Sequence, residues 1–260
     1  MRLLRKYLFP LAVPARVRRF IPLIRPNKGT TSGAKVVNLY DRYLTEIDPA
    51  WLNSKVILEV GIGESNSSCY EMAARGALKC YALEPYVKFH AGVDAPLLSA
   101  CAKQHHIDPS TLASRVLRVT DIAALDAESV DLVVSNSVLE HVMDNAHLAT
   151  SLHRVLKPNG RMLHIVDYRD HFFTYPYHHL IWSKKVWHRF LDPGDLPRWR
   201  IGDHVTAFER AGFSVQILKA DPISAEFEKI RARVHPELAH YSQQDLQTAF
   251  GVLLAGPAGR

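Results

Sequence analysis

The sequence predicts an α/β fold: a doubly wound, mostly parallel sheet with helices on both faces. Three observations predict it. Apolar runs alternate with helical patterns along most of the chain. The first clear run, residues 56–60, breaks into Gly61-Ile62-Gly63. The second, residues 78–83, ends on a carboxylate, Glu84, about twenty residues after the glycines.

The elements follow in order. Val36, Tyr40, Tyr43, Leu44 and Ile47 fall at helical spacing, so a helix over 36–47 precedes the first strand. The strand at 56–60 turns through the glycines into a crossover helix. Ser68 and Glu71 have capping-box spacing at its start, and Gly76 sits where a C-cap glycine belongs. The second strand, 78–83, leads into a longer crossover over 86–114 with a helix at 94–104. A third strand, 116–119, ends before Asp121-Ile122. A fourth begins at Asp131 and breaks into the polar loop Ser135-Asn136-Ser137. Residues 152–164 read as helix, turn and fifth strand. Residues 168–200 read as an insertion. A helix over 203–211 ends at Gly212, a sixth strand covers 213–218, and 250–254 is a candidate seventh. The chain shows no internal repeat.

Length and composition fit one α/β domain. The chain has 260 residues, 47% hydrophobic and 22% charged. Its three cysteines, Cys69, Cys80 and Cys101, have no metal spacing and suit a reducing compartment. The net charge of +6 is concentrated: residues 1–40 hold nine Lys or Arg and no acid, which leaves the remainder at −3. Apolar residues such as Leu3, Leu4, Phe9, Phe20 and Ile24 interleave with these bases. An arm over 1–30 of this kind suits a membrane surface beside anionic lipid. A solvated tail is the plainer reading. The mildly acidic body and the lack of an RNA-type motif argue against nucleic acid.

The glycine loop and Glu84 point to a nucleoside-bearing cofactor. Glycines let the backbone turn sharply and approach a ligand. A carboxylate at the end of the neighbouring parallel strand can accept from a ribose diol. The loop continues Glu64-Ser65-Asn66, and an acid there would repel a pyrophosphate. That disfavours a nicotinamide-dependent oxidoreductase.

Taken in order, Glu59-Val60-Gly61-Ile62-Gly63, Glu84, Asp121, residues 131–142 and residues 152–164 resemble the class I S-adenosylmethionine-dependent methyltransferases. The resemblance covers about residues 34–219. It implies a Rossmann-like methyltransferase sheet of seven strands, with the last strand antiparallel. It implies S-adenosyl-L-methionine as cofactor. Glu59, Gly61 and Gly63 match the loop that holds the methionine part, and Glu84 the acid on the ribose. Pro85 matches the residue lying against adenine. Asp121 and the Ile122 backbone match the pair that meets the adenine amino group. Asn136 lies near the methionine end. The family's usual third glycine is Ser65 here. Each position also has a plain structural reading: a turn for the glycines and Asn136, a solvated strand end for Glu84, a helix cap for Asp121.

The acceptor side follows from position. Ligands of an open parallel sheet bind beyond the carboxyl ends of its strands. Strand five ends at Asp167-Tyr168-Arg169-Asp170-His171. Phe172, Phe173, Tyr175, Tyr177, His178, His179, Trp182, Trp187, His188, Phe190 and Trp199 follow, so 168–200 reads as an aromatic lid. A hydroxyl acceptor needs its proton removed, and His171, Asp170 and His141 are the candidates. Their structural alternatives are packing for the histidines and a pair with Arg169 or another base for Asp170. A metal site built from His164, His171, His178 and His179 has no compact ligand spacing, so no metal is expected. The 166–172 run resembles bacterial methyltransferases of glycan and small-molecule pathways. The expected function is methyl transfer to a small-molecule or lipid-linked glycan acceptor, at a hydroxyl. The expected location is cytoplasmic, with the arm at the inner face of the membrane. A cofactor-binding membrane-surface protein without transferase activity is the rival from another class.

Overall fold

The structure, a computed structural model, describes residues 32–171, 175–191 and 196–259. The basic arm expected over 1–30 lies outside them, as do Phe172 and Phe173 of the insertion. A first helix, α1 (Gly33–Leu44), precedes β1 (Val56–Val60). Then come α2 (Ser67–Ala74), β2 (Lys79–Leu83), α3 (Ala91–His105), α4 (Pro109–Ser114) and β3 (Val116–Val119). β4 (Val130–Asn136), α5 (Asn145–Val155), β5 (Leu156–Asp167), α6 (Ile201–Arg210), β6 (Phe213–Pro222) and β7 (Thr248–Pro257) complete the frame.

The seven strands form one sheet in the order β3-β2-β1-β4-β5-β7-β6. β1 runs parallel to both β2 and β4, and β7 is antiparallel to β5 and β6. The doubly wound sheet with an antiparallel last strand is therefore the observed one.

Why these runs make strands is visible in their burial. Successive residues of a strand face opposite sides, and a parallel sheet covered on both faces is apolar on both. Ile57 packs with Val36, Val37, Tyr40 and Leu44 on the α1 side. Leu58 packs with Leu152, Phe208 and Phe213 on the α5–α6 side. No helix among the described residues is long and apolar enough to cross a membrane.

Four details differ from the sequence reading. Ser68 and Glu71 form no capping box; α2 begins at Ser67, and Ser68 instead donates to Glu59. The helix expected at 94–104 starts earlier, at Ala91. β6 and β7 are each ten residues long, because they pair with one another over most of their length. Residues 223–247, which carry no clear periodicity, fold as short turns of helix between β6 and β7.

Those turns give the insertion something to pack on. Tyr177 and Leu180 join Phe227, Ile230, Leu238 and Ala249 in a separate cluster. Trp187, Leu191 and Leu196 form another. Arg200, 1% exposed, ties the parts together. Its guanidinium donates to the carbonyls of Tyr168, Asp245, Leu246 and Thr248 and meets His179 Nε2 at 3.2 Å. It also stacks over the Tyr168 ring. Arg200→Ala leaves buried carbonyls without donors, so urea denaturation should show a loss on the order of 3 kcal/mol or more. A loss below about 1 kcal/mol would mean that the apolar clusters hold this lobe without it.

Candidate functional site

The sheet order changes direction between β1 and β4, where β1 has β2 on one side and β4 on the other. A crevice opens at such a point, beyond the carboxyl ends of the strands. Four of the segments singled out above end there side by side. They are Asp121-Ile122 after β3, Glu84-Pro85 after β2, the Gly61–Gly63 loop after β1 and Asn136 at the end of β4.

The glycine loop is fixed by its neighbours. Gly61 and Gly63 have φ of +76° and +80°, which residues with a Cβ rarely adopt. A Cβ on Gly61 would lie 2.4 Å from Val138 Cγ2, so this glycine makes room for the loop after β4. Gly61 N–H donates to Leu83 O at 2.8 Å. Glu84, 6% exposed, accepts from three backbone N–H groups: Gly63 at 2.9 Å, Tyr86 at 3.0 Å and Val87 at 3.0 Å.

Arg118 on β3 completes this arrangement. Its guanidinium donates to Gly63 O, Asn66 Oδ1 and Val87 O. Asp94 accepts from Asn66 N–H and Tyr70 Oη, both at 2.7 Å. Sequence reasoning missed both residues. The signal for Arg118 was a lone charge inside the apolar run Val116-Leu117-Arg118-Val119. Pro85 and Asp121 are exposed, and Asp121 caps the short turn Ile122–Ala124 by accepting from Ala123 N–H at 2.8 Å. Asn136 is partly exposed and precedes Ser137, whose φ is +55°.

Beneath the loop, Glu59 is buried at 5% exposure. It accepts from Tyr40 Oη at 3.2 Å, Ser68 Oγ at 2.5 Å and Cys69 Sγ at 3.6 Å. Burial pushes its carboxyl up to about 6, against the lowering effect of those donors.

The acceptor-side residues lie at the ends of β4 and β5. The rings of His141 and His171 are 5.0 Å apart. His171 Nε2 lies 3.6 Å from Asp167 Oδ2, and Arg169 grips the same carboxylate at 2.8 and 2.6 Å. Burial alone would raise the Asp167 pKa, but the hydrogen bonds from Arg169 and His171 outweigh it and hold Asp167 well below the usual carboxylate range. Asp170, expected near His171, is instead buried, with Oδ2 3.9 Å from Nδ1 of the buried His179. Arg169 pairs with Asp167.

Glu140, next to His141, is buried at 2% exposure, and its Oε2 has no hydrogen-bond partner. Burial pushes its carboxyl well above the usual range, and the nearby Asp167 charge adds to this. A small polar cavity joins Glu140 to Asp167, Arg169, His179, Arg198 and Trp199. Among the other histidines, His164 is fully buried at 2.7 Å from Ser135 Oγ, with a pKa lowered by burial to about 3. His164 serves the core and is no partner to His171.

Residues 58–164 match a family model described as a methyltransferase domain. Among solved structures, phosphoethanolamine N-methyltransferase 2 of Haemonchus contortus, in complex with S-adenosyl-L-methionine, is similar with a TM-score of 0.50 and 17% identity. The match covers 86% of this chain and 53% of that one, so the chain spans about half the length of that enzyme. A second structure of the same enzyme, with phosphomonomethylethanolamine and S-adenosylhomocysteine, matches at 0.50 and 16% over the same shares. An S-adenosylmethionine-dependent methyltransferase of Mesorhizobium loti is 20% identical with a TM-score of 0.46, over 80% of this chain and 95% of that one. Among curated proteins none matches. The fold is that of the Rossmann-like methyltransferases.

The raised Glu59 carboxyl predicts a pH dependence of stability. Its pKa is higher folded than unfolded, so its contribution is fully present below about 4.5 and is lost as pH rises through about 6. Between pH 4.5 and 6.5 the wild type should lose roughly 1.5 kcal/mol more than Glu59→Gln in urea denaturation. Parallel pH profiles for the two proteins would place the Glu59 pKa near its ordinary value.

Proposed function

We propose that the chain is an S-adenosylmethionine-dependent methyltransferase whose acceptor is a small molecule or glycan hydroxyl. The convergence of the Gly61–Gly63 loop, Glu84, Asp121 and Asn136 at the reversal point of the sheet carries this reading. The methyltransferase-domain match over residues 58–164 supports it. In this reading Glu59, Gly61, Gly63 and Asn136 surround the methionine part of the cofactor, and Glu84 takes the ribose. Pro85, Asp121 and Ile122 flank the adenine.

Methyl transfer from a sulfonium is a direct displacement. The acceptor oxygen attacks the methyl carbon as the sulfur leaves with its electron pair. The protein must align the three atoms and keep water out. His171 is the proton acceptor in this proposal, with Asp167 orienting it and His141 beside it. Asp170 supports the segment from below, against His179. The insertion 168–200 is the acceptor cover. An exposed His171 just past the end of β5 fits a group that must meet a substrate. The basic arm over 1–30 suits an anionic membrane surface, where a lipid-linked glycan would be met.

Calorimetry tests the cofactor. S-adenosylhomocysteine should bind and nicotinamide cofactors should not. Glu84→Ala should weaken S-adenosylhomocysteine binding by more than tenfold, since charge-assisted bonds are worth ~1.5–3 kcal/mol each. An unchanged dissociation constant removes Glu84 from the site.

An acceptor screen with labelled methyl donor tests the chemistry. On the acceptor so found, His171→Ala should lower turnover by ~10²–10⁴ and leave S-adenosylhomocysteine affinity nearly intact. Full activity in His171→Ala would mean that positioning alone suffices.

A further inference from the structure

Away from the crevice, two helices bring a carboxylate, a thiol and an imidazole together. α2 starts just after the glycine loop and runs back toward the start of β2, so its last turn lies toward the amino ends of the strands. Glu71 sits in that last turn. Cys101 and His105 lie four residues apart near the end of α3, on one face of the helix. Glu71 and Cys101 are buried, and the His105 side chain is 22% exposed.

We propose that Glu71, Cys101 and His105 form a binding site for a divalent transition metal of the zinc class, with one position left to water. One ligand atom from each residue lies within 4.8 Å of the other two. Cys101 Sγ is 3.6 Å from Glu71 Oε2, and His105 Nε2 is 3.1 Å from Glu71 Oε1. Tetrahedral zinc bonds of ~2.0–2.3 Å put ligand atoms roughly 3.3–3.8 Å apart. The thiol and the imidazole meet different oxygens of Glu71, so a shared metal needs side-chain rotation to bring all three donors onto one position.

The surroundings suit the role. Arg75 Nε donates to Glu71 Oε1 at 2.7 Å, which leaves Oε2, the oxygen nearer the thiol, for a metal. The same guanidinium is held by Asp41 and Asn38, so it stays anchored on Oε1. Ligating carboxylates are ordinarily hydrogen-bonded in this way. On binding, the thiol proton leaves to water as the metal–sulfur bond forms. Softness of the thiolate and imidazole favours zinc or cobalt over magnesium or calcium. A metal here joins α2 to α3, the two helices whose other ends carry the glycine loop and Asp94.

Cobalt(II) titration of the chelator-treated full chain tests the site without any substrate. One cobalt per chain should bind with a thiolate-to-cobalt charge-transfer band, and zinc(II) should bleach it. Cys101→Ser should abolish the band. His105→Ala, a change at a partly exposed position, should weaken cobalt binding at least ~10-fold. Far-UV circular dichroism should be unchanged in both. A wild type without the band, a band of equal strength in Cys101→Ser, or equal affinity in His105→Ala would overturn the proposal.

Discussion

The Glu84 carboxylate is the contact on which the cofactor side of the molecule depends. It sits at the end of β2 and accepts from Gly63, Tyr86 and Val87 N–H groups. One acid thereby fixes the loop after β1 to the loop after β2. Arg118 then locks the carbonyls of Gly63 and Val87 from the β3 side. A carboxylate offers about four acceptor directions, and three are engaged. A ribose diol pairing with Glu84 takes the remaining direction and competes with one loop N–H. Under the proposed function, cofactor binding and loop conformation are therefore coupled through this side chain.

The acceptor side rests on a different device. The described part of residues 168–200 is held by Arg200, whose donors reach β7 and the turn before it. Burying a guanidinium is tolerated because its N–H groups meet carbonyls and His179. The described part of the insertion is thus anchored on the 223–247 connection through Tyr177 and Leu180. That anchoring gives the end of β5 a firm floor and leaves His171 exposed above it.

Much of the frame was legible in the sequence because a parallel sheet buried on both faces demands continuous apolar runs. Residues 56–60, 78–83 and the run beginning at Asp131 announce themselves that way. The antiparallel edge was harder. β6 alternates polar and apolar residues toward its end, and its length is set by pairing with β7. Side-chain partners were least legible. Ser68 and Glu71 have capping-box spacing, yet burial turned Ser68 to Glu59 and Glu71 to Arg75 and His105. Asp167 and Asp170 both flank Arg169 within a few residues. Only the backbone path after β5 decides that Asp167 meets Arg169 and His171 while Asp170 turns inward.

Two carboxyl groups at the end of the sheet show how one environment can serve proton transfer. Asp167 is gripped by Arg169 and stays ionised far into acid. Glu140, a short way along, is buried with one oxygen unpartnered and holds its proton well above the ordinary range. Environments that split two acids in this way assign their roles. Under the proposed function, an Asp167 carboxylate beside His171 would favour the imidazolium formed when the ring takes a proton, and would hold the ring in position.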